Sequence, residues 1–263
     1  MLLTTMELSI EELLKGKPTV IKGKEYFSTA AYVEPFLERM AKLTGEFIVQ
    51  AKLPDQITLT KDNEVNMEDI TFNRVNVEAI LPEEYAFEGH KRVVGFVYAL
   101  DTRKPVVKIY NGAIRSACLN LCTFNPDALQ IQELEPEAPI DYGFVTRCLS
   151  MADNINAVLK EISDREYTKQ QCFTELGTWI DNCLNPVNSF VSVAGKVKLA
   201  ENLPIEAYKN LFYNEKSPYY TQNDVVSGFD IYNSFTDIIC NGKKSDLVNR
   251  FEKTYLVKNI LGI

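Results

Sequence analysis

The residues of this chain best suited by type and spacing to do chemistry are bases and tyrosines. Lys91, Arg92, Arg103, Lys104, Lys108 and Arg115 fall in one stretch, opposed there by Asp101 alone and interleaved with Tyr98 and Tyr110. Ammonium and guanidinium groups neutralise phosphates, and aromatic faces stack bases, so this pattern suits a groove for a polyanion, single-stranded nucleic acid in particular. Solvated strand ends and loops of an ordinary domain carry the same residue types. A second basic island, Lys15, Lys17, Lys22 and Lys24, runs without an acid between Leu13 and Lys24. Tyr208, Phe212, Tyr213, Tyr219 and Tyr220 gather further on, a cluster that fits core packing, a protein interface or a stacking platform.

Other chemistries lack their parts. His90 is the only histidine, and Lys91 and Arg92 beside it disfavour its protonated form, so it reads as a loop-surface residue. There is no phosphate loop of the Walker type, no dinucleotide fingerprint, no Gly-x-Ser-x-Gly elbow and no His-Glu-x-x-His. Asp62, Glu64, Glu68 and Asp69 carry metal-binding chemistry, but no partner acid at strand-end spacing completes a nuclease site. Cys118 and Cys122 have no second cysteine pair, and His90 lies far upstream, so a structural zinc site is short of ligands. The six cysteines read as reduced, partly buried thiols, with a nucleophile at Cys118 or Cys122 left open. The expectation leans away from an enzyme and includes no metal and no cofactor.

Composition sets the frame for these groups. The chain has 263 residues, 46% apolar and 24% charged, with a net charge of −8, the proportions of a folded globular protein. A pI near 4.9 speaks against a dedicated duplex binder but leaves room for a local groove. Acid dominates from Asp127 to Asp141, where Asp127, Glu133, Glu135, Glu137 and Asp141 stand unopposed. The longest apolar run, Val93 to Leu100, falls far short of the roughly 20 residues of a spanning helix. Glu7, Glu11 and Glu12 occupy the place where a signal peptide would be apolar, so an intracellular setting and no membrane partner are expected.

The elements that must position these residues follow from periodicity. A short helix is expected over Met6 to Leu14, then a connector from Lys15 to Lys24. A further helix is expected over Ala31 to Leu43, with Pro35 in its first turn if it begins near Glu34. Phe47 to Leu53, Ile57 to Thr60 and Ile70 to Ile80 read as strands. Val93 to Leu100 and Val106 to Tyr110 flank a four-residue connection and read as a hairpin. Pairing Leu100 with Pro105 sets Phe96 and Tyr98 on one face and places Lys108 and Tyr110 over Gly95 on the other, a surface on which a flat anion could stack.

The apolar seam Phe144, Cys148, Met151, Ile155, Val158 and Ile162 predicts a long helix. Ser163 with Glu166 predicts the cap of a second, antiparallel helix ending near Leu184. Pro204 opens a helix to Asn214, Ser227 with Asp230 caps Phe229 to Cys240, and Ser245 caps Asp246 to Leu261. The prolines and acids of Asn125 to Asp141 mark a break. Residues 1–125 then form a sheet-rich part with an N-terminal helix, and residues 126–263 a helical part packed with the sheet as one unit. The fold class expected is α+β, an antiparallel sheet in the N-terminal half and helices in the C-terminal half.

Three segments carry a resemblance. "VVGFVYALDTRKPVVKIYNG" from Val93 to Gly112, "ACLNLC" with its Cys118-x-Asn120 step, and "FDIYNSFTDII" from Phe229 to Ile239 are similar to the phage- and plasmid-borne family known as domain of unknown function, number nine-three-two. The resemblance covers about the last 170 residues at the level of pattern. It implies a bacteriophage or mobile-element origin and the cytoplasm of a bacterial host, and brings no established activity. Asn120 and Asn233 read as buried structural hydrogen-bonders.

The functional expectation is therefore a protein that binds nucleic acid, single strands in replication or recombination, without catalysis. Lys91, Arg92, Arg103, Lys104, Lys108 and Arg115 would serve as phosphate contacts and Tyr110 as a stacking ring, with room for a homo-oligomer. The alternative is a virion component or an anti-defence protein acting through protein contacts, the acid run mimicking nucleic acid toward a basic host target.

Overall fold

Ser9 decides how the chain begins. Its hydroxyl accepts from the Glu12 N–H at 3.2 Å while the Glu12 carboxylate accepts from the Ser9 N–H at 3.0 Å. This reciprocal cap opens a helix at Ile10 and leaves Met6–Leu8 extended, so the expected helix over Met6 to Leu14 is a strand followed by a shorter helix. The computed structural model describes residues 6–53, 73–85, 90–100, 104–115, 120–136, 138–150, 153–185, 191–192, 195–241 and 247–262. Two compact units share the chain: Met1–Ala113 with Asp127–Met151, and Ile114–Pro126 with Ala152–Ile263.

In the first unit the order is β1 (Met6–Leu8), α1 (Ile10–Leu14), β2 (Thr19–Ile21), β3 (Lys24–Tyr26), α2 (Thr29–Thr44), β4 (Ile48–Leu53), β5 (Arg74–Ile80), β6 (His90–Ala99) and β7 (Val106–Arg115). After β8 (Leu121–Cys122), which belongs to the second unit, come β9 (Leu129–Glu133) and α3 (Gly143–Ser150). The strands of this unit's sheet run β1-β4-β5-β6-β7, with β9 paired to β7. β1 with β4, β4 with β5, β5 with β6 and β7 with β9 pair antiparallel, with Glu78 opposite Gly95 and Tyr110 opposite Leu129.

Alternation gives the sheet its core face. Val75, Val77 and Ala79, then Val94, Phe96 and Tyr98, then Val107 and Ile109, lie in one cluster with Tyr32, Val33, Phe36 and Met40 of α2 and Phe144, Val145 and Cys148 of α3. Phe36 stacks on Phe96 with ring centroids 5.3 Å apart. Each of the larger side chains so buried contributes on the order of 1.5–3 kcal/mol, which is what holds the two helices to the sheet. The same burial explains where α2 starts. Thr29, Tyr32 and Val33 are buried, so the helix runs from Thr29 and Pro35 stands in its interior, where the expectation had it in a first turn.

The connector after α1 holds its own hairpin. Lys22 (φ 52°) and Gly23 (φ 77°) turn β2 into β3, a two-residue turn of the kind whose twist matches paired strands. The strand expected over Phe47 to Leu53 is β4. That expected over Ile70 to Ile80 is described from Arg74, and the one over Ile57 to Thr60 lies outside the described residues.

The second unit comprises β8, α4 (Asp153–Ser163), β10 (Glu166–Thr168), α5 (Lys169–Leu184), β11 (Val191–Ser192), β12 (Gly195–Lys196), α6 (Leu203–Phe212), β13 (Val225–Ser227), α7 (Gly228–Asn241) and α8 (Arg250–Ile260). The seam expected as one helix over residues 144–162 falls on α3 and α4, and residues 151–152, where the two meet, lie outside the described residues. Glu166 does not cap a helix. It begins β10, which pairs with β13, and α5 is capped instead by Thr168, whose hydroxyl accepts from the Gln171 N–H at 3.1 Å. The expected antiparallel pair of α4 and α5 gives way to packing of α4 on α7 and of α5 on α6 and α8. Trp179 of α5 meets Phe235 of α7 edge to face at 5.7 Å. Pro204 sits in the first turn of α6, and Ser227 caps α7 with Asp230, both as the sequence predicts. Ser245 lies outside the described residues.

The fold is thus α+β, with its main antiparallel sheet drawn from the N-terminal half and most of its helices from the C-terminal half. Among the described residues no helix is long and apolar enough to cross a membrane.

Candidate nucleic-acid interface

Strands β6 and β7 lie side by side in the sheet, and most of their described residues are buried. Tyr110 lies over Gly95, filling the space a Cβ there would occupy, and its hydroxyl donates to Glu78 Oε1 at 2.7 Å. Tyr110 is 1% exposed, Lys108 2% and Arg92 2%. The expected stacking surface of Lys108 and Tyr110 is corrected to a buried polar layer, in which the Tyr110 ring is taken up by the space over Gly95 and by the bond to Glu78. Arg92 has a structural duty: its guanidinium donates to the carbonyls of Cys148 at 2.8 Å and Leu149 at 3.2 Å, closing the C-terminal end of α3.

Of the remaining members of the basic set, Lys91 and Lys104 have described side chains. Lys91 is half-buried in β6. Lys104 is exposed and pairs with Glu133 at 2.6 Å. Arg103 lies outside the described residues, and Arg115 ends β7 with its side chain undescribed. Tyr98 is buried and donates to Thr29 Oγ1 at 3.0 Å, and burial pushes its ionisation well above the ordinary tyrosine range. His90, expected on a loop surface, opens β6 at 6% exposure. Sequence reasoning passed over Asn76 and Glu78. Their signal was two polar residues at the alternate positions of β5 opposite a strand containing a glycine.

The thiols that can be placed are inert by position. Cys122, Cys148, Cys172, Cys183 and Cys240 are buried. Burial pushes Cys148 and Cys183 up to about 12 and Cys172 to about 11. Cys118 lies outside the described residues. Asn120 is the hydrogen-bonder the sequence suggests: it donates to Tyr219 Oη at 2.6 Å and to the Asn233 carbonyl at 3.2 Å, and accepts from Asn241 at 2.7 Å.

Aromatic surface collects instead in the second unit. A groove of about 930 Å³ is lined from α5 by Phe173 and Leu176, from α6 and the turn after it by Ile205, Tyr208, Lys209 and Tyr213, and from α7 by Ile238. Phe173 is 59% exposed and Tyr213 63%, whereas most large apolar side chains here are buried. Their rings meet through Tyr208, 6.2 Å from Phe173 and 5.9 Å from Tyr213. Tyr208, 8% exposed, forms the floor, and burial followed by its pairing with the Tyr213 hydroxyl pushes its ionisation up to about 12. The Lys169 ammonium stands 4.3 Å from the centroid of the Tyr213 ring, a cation held on an aromatic face. Glu206, the acid of the lining, accepts from the Asn202 amide. Of these residues the sequence marked Tyr208 and Tyr213. Phe173 was missed, and its signal was a phenylalanine beside Cys172 on the polar side of an amphipathic helix.

No family model matches the chain, no curated protein matches it, and no solved structure matches it.

Proposed function

We propose that the protein binds single-stranded nucleic acid without catalysis, at the groove between α5 and α6. The observation that carries this reading is that two rings, Phe173 and Tyr213, stand more than half exposed in one groove that also holds Lys209, with Lys169 against Tyr213. Stacking on such rings is tolerant of sequence because every base has a π-face, and the lysines supply attraction for the phosphates. The burial of Arg92, Lys108 and Tyr110 moves the proposed site away from the hairpin while leaving the class of ligand unchanged.

The test is fluorescence anisotropy of a labelled dT oligomer with the intact chain and with Phe173→Ala and Tyr213→Ala. Each loss of a ring is expected to weaken binding by about 1–3 kcal/mol, roughly 5- to 150-fold. Absence of binding at low salt would overturn the proposal. A second reading has its own support: Leu176, Ile238 and the 39%-exposed Ile205 give the groove the apolar lining that an amphipathic helix of a protein partner requires. Capture of such a helix by a protein indifferent to dT would favour contacts with a virion or host protein instead.

A further inference from the structure

We infer that the groove between α5 and α6 takes RNA in preference to DNA, with Glu206 and Asn210 on its wall reading the ribose 2′-hydroxyl; this rests on the groove being the nucleic-acid site proposed above.

Glu206 puts an acid in a groove for a polyanion. It is the carboxylate of the lining, exposed on α6 three residues before the exposed Lys209. Residues at that spacing are neighbours on a helix, close enough to pair. Among the described residues neither is in an ion pair, with the other or elsewhere. Lys209 suits a phosphate, whereas the carboxylate repels one, so Glu206 weakens the hold on any strand that brings no donor to meet it.

DNA brings donors only on its bases, where their number and position change from base to base. RNA brings one on every nucleotide, the 2′-hydroxyl, on the sugar carbon next to the one that bears the 3′-phosphate. Rings that stack any base are best matched by a donor that is the same for every base. Glu206 beside Lys209 sets an acceptor for that hydroxyl next to a cation for that phosphate.

The wall is also preset for a group that both donates and accepts. The Asn202 amide donates to Glu206 Oε1 and holds the carboxylate, which keeps its second oxygen to accept. Four residues further along the same face of α6, Asn210 Oδ1 accepts from the Asn214 amide at 3.0 Å, which leaves Asn210 Nδ2 to donate. A hydroxyl uses both groups, and a deoxyribose uses neither.

The experiment measures fluorescence anisotropy of labelled oligomers of uridine, 2′-deoxyuridine and 2′-O-methyluridine, equal in length, with the full chain at low salt. The 2′-O-methyl strand keeps the oxygen and loses the donor. The parent protein is expected to bind the uridine strand about tenfold more tightly than either of the others, the size of one net hydrogen bond. Glu206→Ala is expected to weaken uridine binding and to strengthen deoxyuridine binding, bringing the two within about twofold, an opposite movement that loss of folding does not produce. Equal affinity for uridine and deoxyuridine strands in the parent, with Phe173→Ala weakening both, overturns the inference and leaves the groove reading in place. A uridine preference that survives in Glu206→Ala overturns it as well, as does a 2′-O-methyl strand bound as tightly as uridine. A protein that binds none of the strands, or binds them undiminished in Phe173→Ala, fails the groove reading and removes the inference with it.

Discussion

The Tyr110 ring lies where a side chain at Gly95 would be, and this lets one residue span the sheet. From β7 the ring crosses β6 at its glycine and delivers its hydroxyl to Glu78 on β5, which also accepts from Asn76 at 3.4 Å. A carboxylate at 0% exposure is costly unless donors reach it, and here the donor arrives from two strands away through a gap that only glycine leaves.

Gly95→Ala should therefore destabilise the protein by about 2–3 kcal/mol, because the added methyl overlaps a ring with no room to retreat. Combining it with Tyr110→Ala should cost less than the two separate losses together, as contacting residues do in a double-mutant cycle. Tyr110→Phe, which keeps the ring and removes the donor, should cost about 1–3 kcal/mol. Urea denaturation of the parent, the two single alanine variants, their combination and Tyr110→Phe measures all of this. Independent, additive effects would show that Gly95 and Tyr110 are not in contact.

Charge reversal in the hairpin should act on folding before it acts on binding. Lys108→Glu should lower soluble yield and the urea midpoint, since it places an acid in a buried layer that already holds Glu78. Arg92→Met should cost about 1–3 kcal/mol by leaving the carbonyls that end α3 without their donor. In both variants the salt slope of any nucleic-acid binding by the folded fraction should match the parent. A stable Lys108→Glu protein with a flattened slope would restore Lys108 to the interface.

Alkaline pH should loosen the fold. Cys148 and Cys183 are raised from an ordinary value near 9 to about 12, and Cys172 to about 11; Tyr98, Tyr142 and Tyr232 are raised as well. A thiol that ionises more easily unfolded than folded contributes its full stability below pH 9, and that contribution drains away as pH climbs toward the folded value. Urea midpoints should therefore fall between about pH 9 and 11, and thiol labelling of these three positions at pH 8 should await unfolding. A flat midpoint across that range, or fast labelling of Cys148 in the native state, would contradict the burial described.

The sequence made some of these elements plain and hid others, for physical reasons. Ser227 with Asp230 and Pro204 act through neighbours a few residues away, so the starts of α7 and α6 were legible. Thr168 with Gln171 is a reciprocal cap just as local, yet Ser163 with Glu166 offers a competing one. The choice between them is made by the pairing of Glu166 with Ser227, sixty-one residues on, which no local pattern reveals. The α+β order could be read from where the period changes. The direction in which the basic hairpin faces could not, because a strand covered on both sides and a strand half in water share the same alternation. In the groove the tyrosines of α6 and its turn were visible as a cluster, while Phe173 joins them only through the packing of α5 on α6.

The way the two units share the chain also bears on how the protein is made. Residues 114–126 belong to one unit, and the chain then returns at Asp127 to give the other its strand β9 and helix α3. On the ribosome the first unit therefore cannot close when Ala113 emerges. The side of β7 that pairs with Leu129–Glu133, and the sheet face that α3 shields, must wait for almost forty more residues. During that wait an unpaired strand and a bare apolar surface are open to other nascent chains, so yield in cells should depend on elongation rate and on chaperones more than final stability would suggest.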